Sequence, residues 1–259
     1  MQTTTIELSK AFNEIELHVL GDDHIGDDQS NIGLIKERIS VIEDTPNAYC
    51  AMLGDSINNA LANSKSDVYS AHIHPSEQIQ YVAKLYTPIR DKILAILPGN
   101  HEARSWRAAG IDPTRMIALE LGLVDKYHDE PLLMFLRFGT QSRRMSEGRP
   151  ISYMIYFTHG SGGGKRVGSK ANRVEDLAGI VDADLYLHAH QHTPITFKKD
   201  YFRTVPQKSV VQQVTKTFVN TAAALDYGSY GSQMGFSPSC KDNPIIYLNG
   251  QEKEVRVMV

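Results

Sequence analysis

Residues 20–29 read LGDDHIGDDQ, four aspartates around one histidine directly after the alternating run EIELHV. That much negative charge at the end of a half-buried strand calls for a positive partner. Donor residues follow four more apolar runs: GDSIN with Asp55, PGNHEAR with Asn100 and His101, THG with His159, and HAHQHTP with His188, His190 and His192. Each alone has an ordinary explanation, since an aspartate after a strand caps or turns the chain and a lone histidine is usually hydrogen-bonded in a half-buried position. Five in succession outweigh it. Oxygen and imidazole donors without thiolate suit Mn(II), Fe(II) or Zn(II).

The elements that must position these donors follow from periodicity. Apolar alternation or short apolar runs at 14–21, 49–54, 92–98, 152–158 and 184–189 predict strands. Helical spacing separates several of them. Ile32, Ile35, Ile39 and Ile42 share one face of a helix, with Asp27 and Asp28 as candidate caps; Ile79, Val82 and Tyr86 mark a second helix after Pro75, with Ser76 as candidate N-cap. A third runs from the cap Asp112 through Pro113 to Gly122. After about residue 195 come strands without intervening helices: KTFVNTAAA, NPIIYLNG and KEVRVMV. The expectation is one α/β domain over 1–259, residues 1–13 being an N-terminal extension. In such sheets ligands bind beyond the carboxyl ends of the strands, so the five donor sets belong on one side.

The chain has 259 residues, and 41% hydrophobic content supports a sizeable core. A formal charge of -3 argues against a generally basic nucleic-acid coat and leaves room for a local basic patch. No apolar run is long enough for a bilayer, and the start MQTTTIELSK lacks a secretory pattern. The expectation is a cytoplasmic protein without a membrane partner. Cys50 and Cys240 lie far apart and form neither a disulfide framework nor a thiolate zinc site.

The ordered set D-x-H, G-D-x-x-N, G-N-H-E, T-H-G and H-x-H over residues 14–194 resembles the calcineurin-like metallophosphoesterase superfamily. The later segment VNTAAALDYGSYGSQMGFSP is similar to small phage and prophage members. The resemblance implies a four-layer α/β/β/α sandwich of mixed sheets with two divalent ions at one edge, Mn(II) being favoured because many bacterial relatives use it and Fe(II), Zn(II) and Ni(II) being alternatives. Carried over by motif, Asp22 and His24 bind the first ion, Asp55 bridges, and Asn100 and His159 bind the second. The terminal pair has two registers, His188 with His190 or His190 with His192. The following TP favours the second, in which His190 takes the second ion and His192 the first. The family's glycine before that pair is Ala189 here. Asp23, at the variable position of D-x-H, should point away from the ions.

Two metals about 3.5–4 Å apart can share a hydroxide and hold the phosphate oxygens, which suits phosphoester hydrolysis. The resemblance makes His101 the group that protonates the departing oxygen, with Arg104 on substrate phosphate or a carboxylate and Glu102 bracing the loop. The implied substrate is a phosphodiester or nucleotide-type ester. A DNA exonuclease or endonuclease is the alternative, and a catalytically silent scaffold a distant one. HGSGGGKRVGSKANR is no Walker A loop, since Arg166 stands where Ser or Thr should follow Lys165. Lys165, Arg166, Lys170 or Arg173 are its candidate phosphate contacts, and RFGTQSRRMSEGR is a second basic segment. Tyr227, Tyr230 or Phe236 could stack a base or anchor their own loop.

Overall fold

The computed structural model describes residues 1–62, 64, 68–69, 71–139 and 150–259. In chain order the elements are β1 (Gln2–Leu8), β2 (Glu14–Leu20), α1 (Ile32–Asp44), β3 (Ala48–Met52), α2 (Pro75–Tyr86), β4 (Ile93–Ile96), α3 (Glu102–Ala109), α4 (Pro113–Leu121), β5 (Leu132–Phe138), β6 (Ile151–Thr158), α5 (Val167–Glu175), β7 (Leu185–His188), β8 (Ile195–Val205), β9 (Val210–Asn220), α6 (Ser229–Gln233), β10 (Ile245–Asn249) and β11 (Val255–Met258).

They form two mixed sheets, one of six strands in the order β1-β5-β6-β7-β9-β8 and one of five in the order β11-β10-β2-β3-β4. Period-two alternation decides what each face meets. In β3, Ala51 joins the core between the sheets while Cys50 and Met52 face the helices; in β6, Ile155 and Phe157 turn inward while Tyr156 turns out. Leu17, Val19 and Leu94 of the five-stranded sheet thereby pack with Met134, Ile155, Phe157 and Leu187 of the six-stranded one. Outside the five-stranded sheet lie Ile35, Ile39, Val82, Tyr86 and Ile117 of α1, α2 and α4, and outside the six-stranded sheet lies Val174 of α5. The result is a four-layer α/β/β/α sandwich. Strands covered on both faces read as near-continuous apolar runs, which is why these were the legible ones.

Several expectations need correction. Asn31, and neither Asp27 nor Asp28, caps α1, its side chain accepting from the Leu34 amide at 2.9 Å. Helix α2 begins at Pro75 with His74 as N-cap, and the Glu77 carboxylate accepts from the His74 amide at 2.8 Å, so Ser76 lies inside the first turn. Residues 1–13 contain β1, paired in parallel with β5 over its whole length. The region after 195 holds the 11-residue strands β8 and β9 and the short helix α6. Of the second basic segment, residues 140–149 lie outside the described residues. Among the described residues no helix is long and apolar enough to cross a membrane.

β2, β3, β4, β6 and β7 deliver their carboxyl ends to one edge of the sandwich. The two sheets are stitched there. The His190 amide, after β7, donates to Asp22 Oδ2 at 2.8 Å, and His159 Nδ1 lies 2.6 Å from the Leu53 carbonyl, both across the sheet boundary.

Candidate metal centre

Asp22, His24 and His192 form one group of donors. His24 Nε2 lies 3.2 Å from His192 Nε2, and Asp22 Oδ1 lies 3.4 Å from His192 Nε2 and 3.9 Å from His24 Nε2. Asp55, His159 and His190 form a second, in which one donor atom from each lies within 4.8 Å of the others. Asp55 Oδ2 is 3.3 Å from His159 Nε2, and Asn100 Oδ1 is 3.0 Å from the same nitrogen. Asp55 Oδ2 also sits 3.9 Å from His24 Nε2, so it stands at the junction of the two groups. Every residue expected at the centre is therefore brought together. Of the two H-x-H registers, His190 with His192 is the one whose rings reach the groups; His188 is buried, its Nδ1 2.6 Å from Asn220 Oδ1. The Ala189 methyl is accommodated by Gly21, where an added Cβ would stand 3.4 Å from it.

The backbone is strained where the donors sit. Asp22 (φ 56°), His24 (48°), Asp55 (51°), His190 (65°) and His192 (53°) all occupy the left-handed region. Each such non-glycine residue costs roughly 1–2 kcal/mol and persists only where its surroundings over-determine it. The over-determination is visible. The His24 amide donates to the Asp55 carbonyl at 2.9 Å, the His190 amide to Asp22 Oδ2 at 2.8 Å and the His101 amide to Asp55 Oδ1 at 2.8 Å. The buried Glu102 carboxylate accepts from the amides of Asp55 (2.9 Å), Gly99 (2.9 Å) and Ile57 (3.2 Å), which makes it the brace between the ends of β3 and β4. Burial and the Asp55 charge push its pKa up to about 7, and the three amides favour its ionised form against that push.

Asp22, Asp23, Asp55 and Glu102 are all buried within this edge. Burial alone would raise Asp22, yet the His192 and His159 imidazoles outweigh it and hold the carboxyl at about 2. His159 is the mirror case, raised to about 10 by Asp55 against the effect of burial. His24 is driven well below the usual imidazole range by burial and by His101, which leaves it a neutral lone-pair donor. Among the described residues, Asp22 Oδ1 and His190 Nδ1 are buried without a hydrogen-bond partner, one in each group. An orphaned carboxylate oxygen and an orphaned ring nitrogen inside an anionic cluster fit divalent cations in both donor type and charge.

The remaining acidic residues of the first motif are used otherwise. Asp23 turns toward α2, where the Tyr86 hydroxyl donates to its carboxylate, and burial raises it to about 6. Asp27 accepts from the Gln29 amide at 2.9 Å, and Asp28 pairs with His72 at 3.0 Å.

His101 Nδ1 lies 2.8 Å from the Asn58 carbonyl, which can only accept, and Arg104 Nη2, which can only donate, lies 2.8 Å from His101 Nε2. These partners assign the neutral tautomer with its proton on Nδ1. Burial, and then the Arg104 charge, lower His101 to about 4 despite Asp55. Arg104 Nη1 also donates to the Asn58 carbonyl at 3.0 Å. Lys170 is likewise committed, donating to the Gln191 carbonyl at 2.8 Å and to Thr193, so it holds the H-x-H loop. Lys165, Arg166 and Arg173 are exposed. The Tyr230 side chain lies outside the described residues.

Sequence reasoning missed Tyr86, Gln78, Asn220 and Asn59. Asn59, at φ 45°, donates to the His101 carbonyl at 2.7 Å while its amide is held by Gln78 Oε1 at 2.9 Å. The doubled asparagine of GDSINN was the available signal, because asparagine tolerates the left-handed region better than most residues.

No family model matches the chain, and no curated protein matches it. Among solved structures, it is similar to a conserved uncharacterized protein from Streptococcus pneumoniae TIGR4 described as a predicted phosphoesterase, at 13% identity over 96% of this chain and 91% of that one, TM-score 0.37. Vps29 from Entamoeba histolytica complexed with zinc is 10% identical over 94% of this chain and 97% of its own, TM-score 0.41. GAP50, the anchor in the inner membrane complex of Plasmodium, is 10% identical over 95% and 84%, TM-score 0.41. The architecture given above rests on this chain's own sheet pairing and core.

Proposed function

We propose that the chain is a calcineurin-like metallophosphoesterase that uses two divalent ions to hydrolyse a phosphodiester or nucleotide-type ester. The observation that carries this is the pair of donor groups meeting at Asp55 Oδ2, with a buried unpartnered donor atom in each. Asp22, His24 and His192 would hold one ion, and Asn100, His159 and His190 the other, with Asp55 between them. When bound, such ions acidify water and neutralise phosphate charge. The silent-scaffold reading loses support because such a chain has no need to hold five donors in strained backbone.

The residues do the positioning. Asp55 sets the spacing of the two groups through one oxygen, while its other oxygen is tied to the His101 amide. Asn100 supplies a neutral amide oxygen. His101 and Arg104 act as a pair: the ring, anchored on the Asn58 carbonyl, orients the guanidinium, and the guanidinium supplies the positive charge for a departing oxygen.

The test is hydrolysis of bis(p-nitrophenyl) phosphate and of the monoester with Mn(II), using the wild type and Asp55→Asn after both are shown to fold. Diester turnover that falls at least about 100-fold in the variant supports the reading, since even outer partners of metal ligands cost 10–100-fold. No turnover of either ester with Mn(II), Zn(II), Fe(II) or Ni(II) would point to the scaffold.

A further inference from the structure

The segment 225–241 runs along one flank of the donor groups and is tied to them at both ends. At one end the Ala224 amide donates to the Asp22 carbonyl at 3.1 Å and the Asp226 amide to the Gln29 carbonyl at 2.7 Å. At the other, the Ser239 hydroxyl donates to the His192 carbonyl. Asp22 and His192 belong to the same donor group, so the segment is fixed to that group's backbone. Among its described side chains are two aromatic rings, Tyr227 and Phe236. The Tyr227 hydroxyl donates to the Phe236 carbonyl at 3.0 Å, which fixes the tyrosine's tip, yet 54% of the residue's surface stays exposed. The hydroxyl is thus committed to the loop while the rest of the residue remains open to a ligand.

The loop that leaves His159 supplies a cationic counterpart. The Lys165 ammonium rests 5.8 Å from the Phe236 ring centroid, linking this loop to the 225–241 segment, and Arg166 is exposed beside it. Arg173 also belongs here, since an added Cβ at Gly162 would stand 3.2 Å from its Nε. Phe236 is three residues from Ser239, a chain reach of at most about 11 Å from the contact with His192. Aromatic faces beside exposed cations, next to the proposed phosphate centre, match a nucleotide: bases stack on such rings whatever their identity, and ammonium and guanidinium groups take the phosphate charge.

We infer that the segment 225–241 forms a nucleoside subsite beside the metal centre, in which the Tyr227 and Phe236 rings take the base of a nucleotide-type ester and Lys165 meets its phosphate charge. The inference rests on the phosphoesterase reading and names the substrate class of that site.

Two diesters of equal charge and the same leaving group test it: the p-nitrophenyl ester of thymidine 5'-phosphate and ethyl p-nitrophenyl phosphate. In both, the oxygen of water bonds to phosphorus as the bond to p-nitrophenolate breaks, with protons released to solvent. With Mn(II), the wild type should favour the thymidine ester in kcat/KM by about 10-fold or more, mainly through KM. Tyr227→Ala and Phe236→Leu should each shrink that ratio, and Phe236→Tyr should keep it. A wild-type ratio near one, or a ratio unmoved in both variants, would overturn the subsite. Calorimetric binding of thymidine 5'-phosphate against ethyl phosphate to the Mn(II)-loaded wild type separates the two readings. If neither ester is hydrolysed, the phosphoesterase reading fails, and tighter thymidine phosphate binding still supports the subsite while equal affinities reject it.

Discussion

At the scale of single residues, the centre depends on groups that hold donors in conformations they would not adopt alone. Asp23 lies between Asp22 and His24, both in the left-handed region, and its buried carboxylate is held by the Tyr86 hydroxyl of α2. Tyr86→Phe removes that donor and leaves a buried carboxylate short of a partner. It should cost about 1–3 kcal/mol of stability, read by urea unfolding of the metal-free protein. It should also weaken Mn(II) binding by up to about 10-fold, because Asp23 holds the backbone between the donors Asp22 and His24. An unchanged Mn(II) affinity at reduced stability would make the pair structural only. Gly99 is held differently: a Cβ there would stand 2.1 Å from Asp55 Oδ1 and 2.3 Å from the Asp55 amide nitrogen. Gly99→Ala must therefore displace Asp55, and calorimetry should find Mn(II) affinity lowered at least about 10-fold.

At the scale of elements, the least expected contribution is that of β1. Burial alternates along it, with Thr4, Ile6 and Leu8 covered and Thr3, Thr5 and Glu7 exposed, which gives an edge strand with one covered face, and Leu8 enters the core between the sheets with Ile6 packed against it. Deleting residues 1–9 should lower stability by about 3 kcal/mol, on the basis of roughly 1.5–3 kcal/mol for a fully buried aliphatic side chain. It should also leave β5 as an unpaired apolar edge, so self-association on size exclusion should rise. A truncated chain with the wild-type urea midpoint would show that β1 adds nothing to the sheet. Helix ends obey local rules where a side chain can reach its own turn, as Asn31 and Asp112 do. Neighbouring candidates such as Asp27 and Ser76 were misread because a shift of two to four residues changes which residue meets the free amides.

At the scale of the whole molecule, the two sheets exist as a sandwich whose shared edge gathers four buried carboxylates from distant parts of the chain. Such a cluster opposes folding unless cations compensate it, so divalent metal should act as a folding ligand. At a free Mn(II) concentration about 100 times its Kd, stability should rise by about 2.7 kcal/mol. Differential scanning calorimetry should show a higher Tm with Mn(II), reversed by a chelator and much reduced in Asp55→Asn. Equal Tm values with metal and chelator would contradict a buried cation site.

What the sequence alone determined was the donor inventory and the strands that carry it. A strand buried on both faces declares itself by a local apolar run, and a donor placed directly after it lies at the strand's carboxyl end whatever else the chain does. The tertiary structure decided which donors meet. His24 and His192 stand 168 positions apart, and only the docking of the two sheets puts their rings 3.2 Å from each other and so selects His190 and His192 over His188. The contacts of Glu102, Asp23 and the His101–Arg104 pair were decided in the same way. Their partners are backbone amides, carbonyls and a hydroxyl of other elements, whose positions no local pattern encodes.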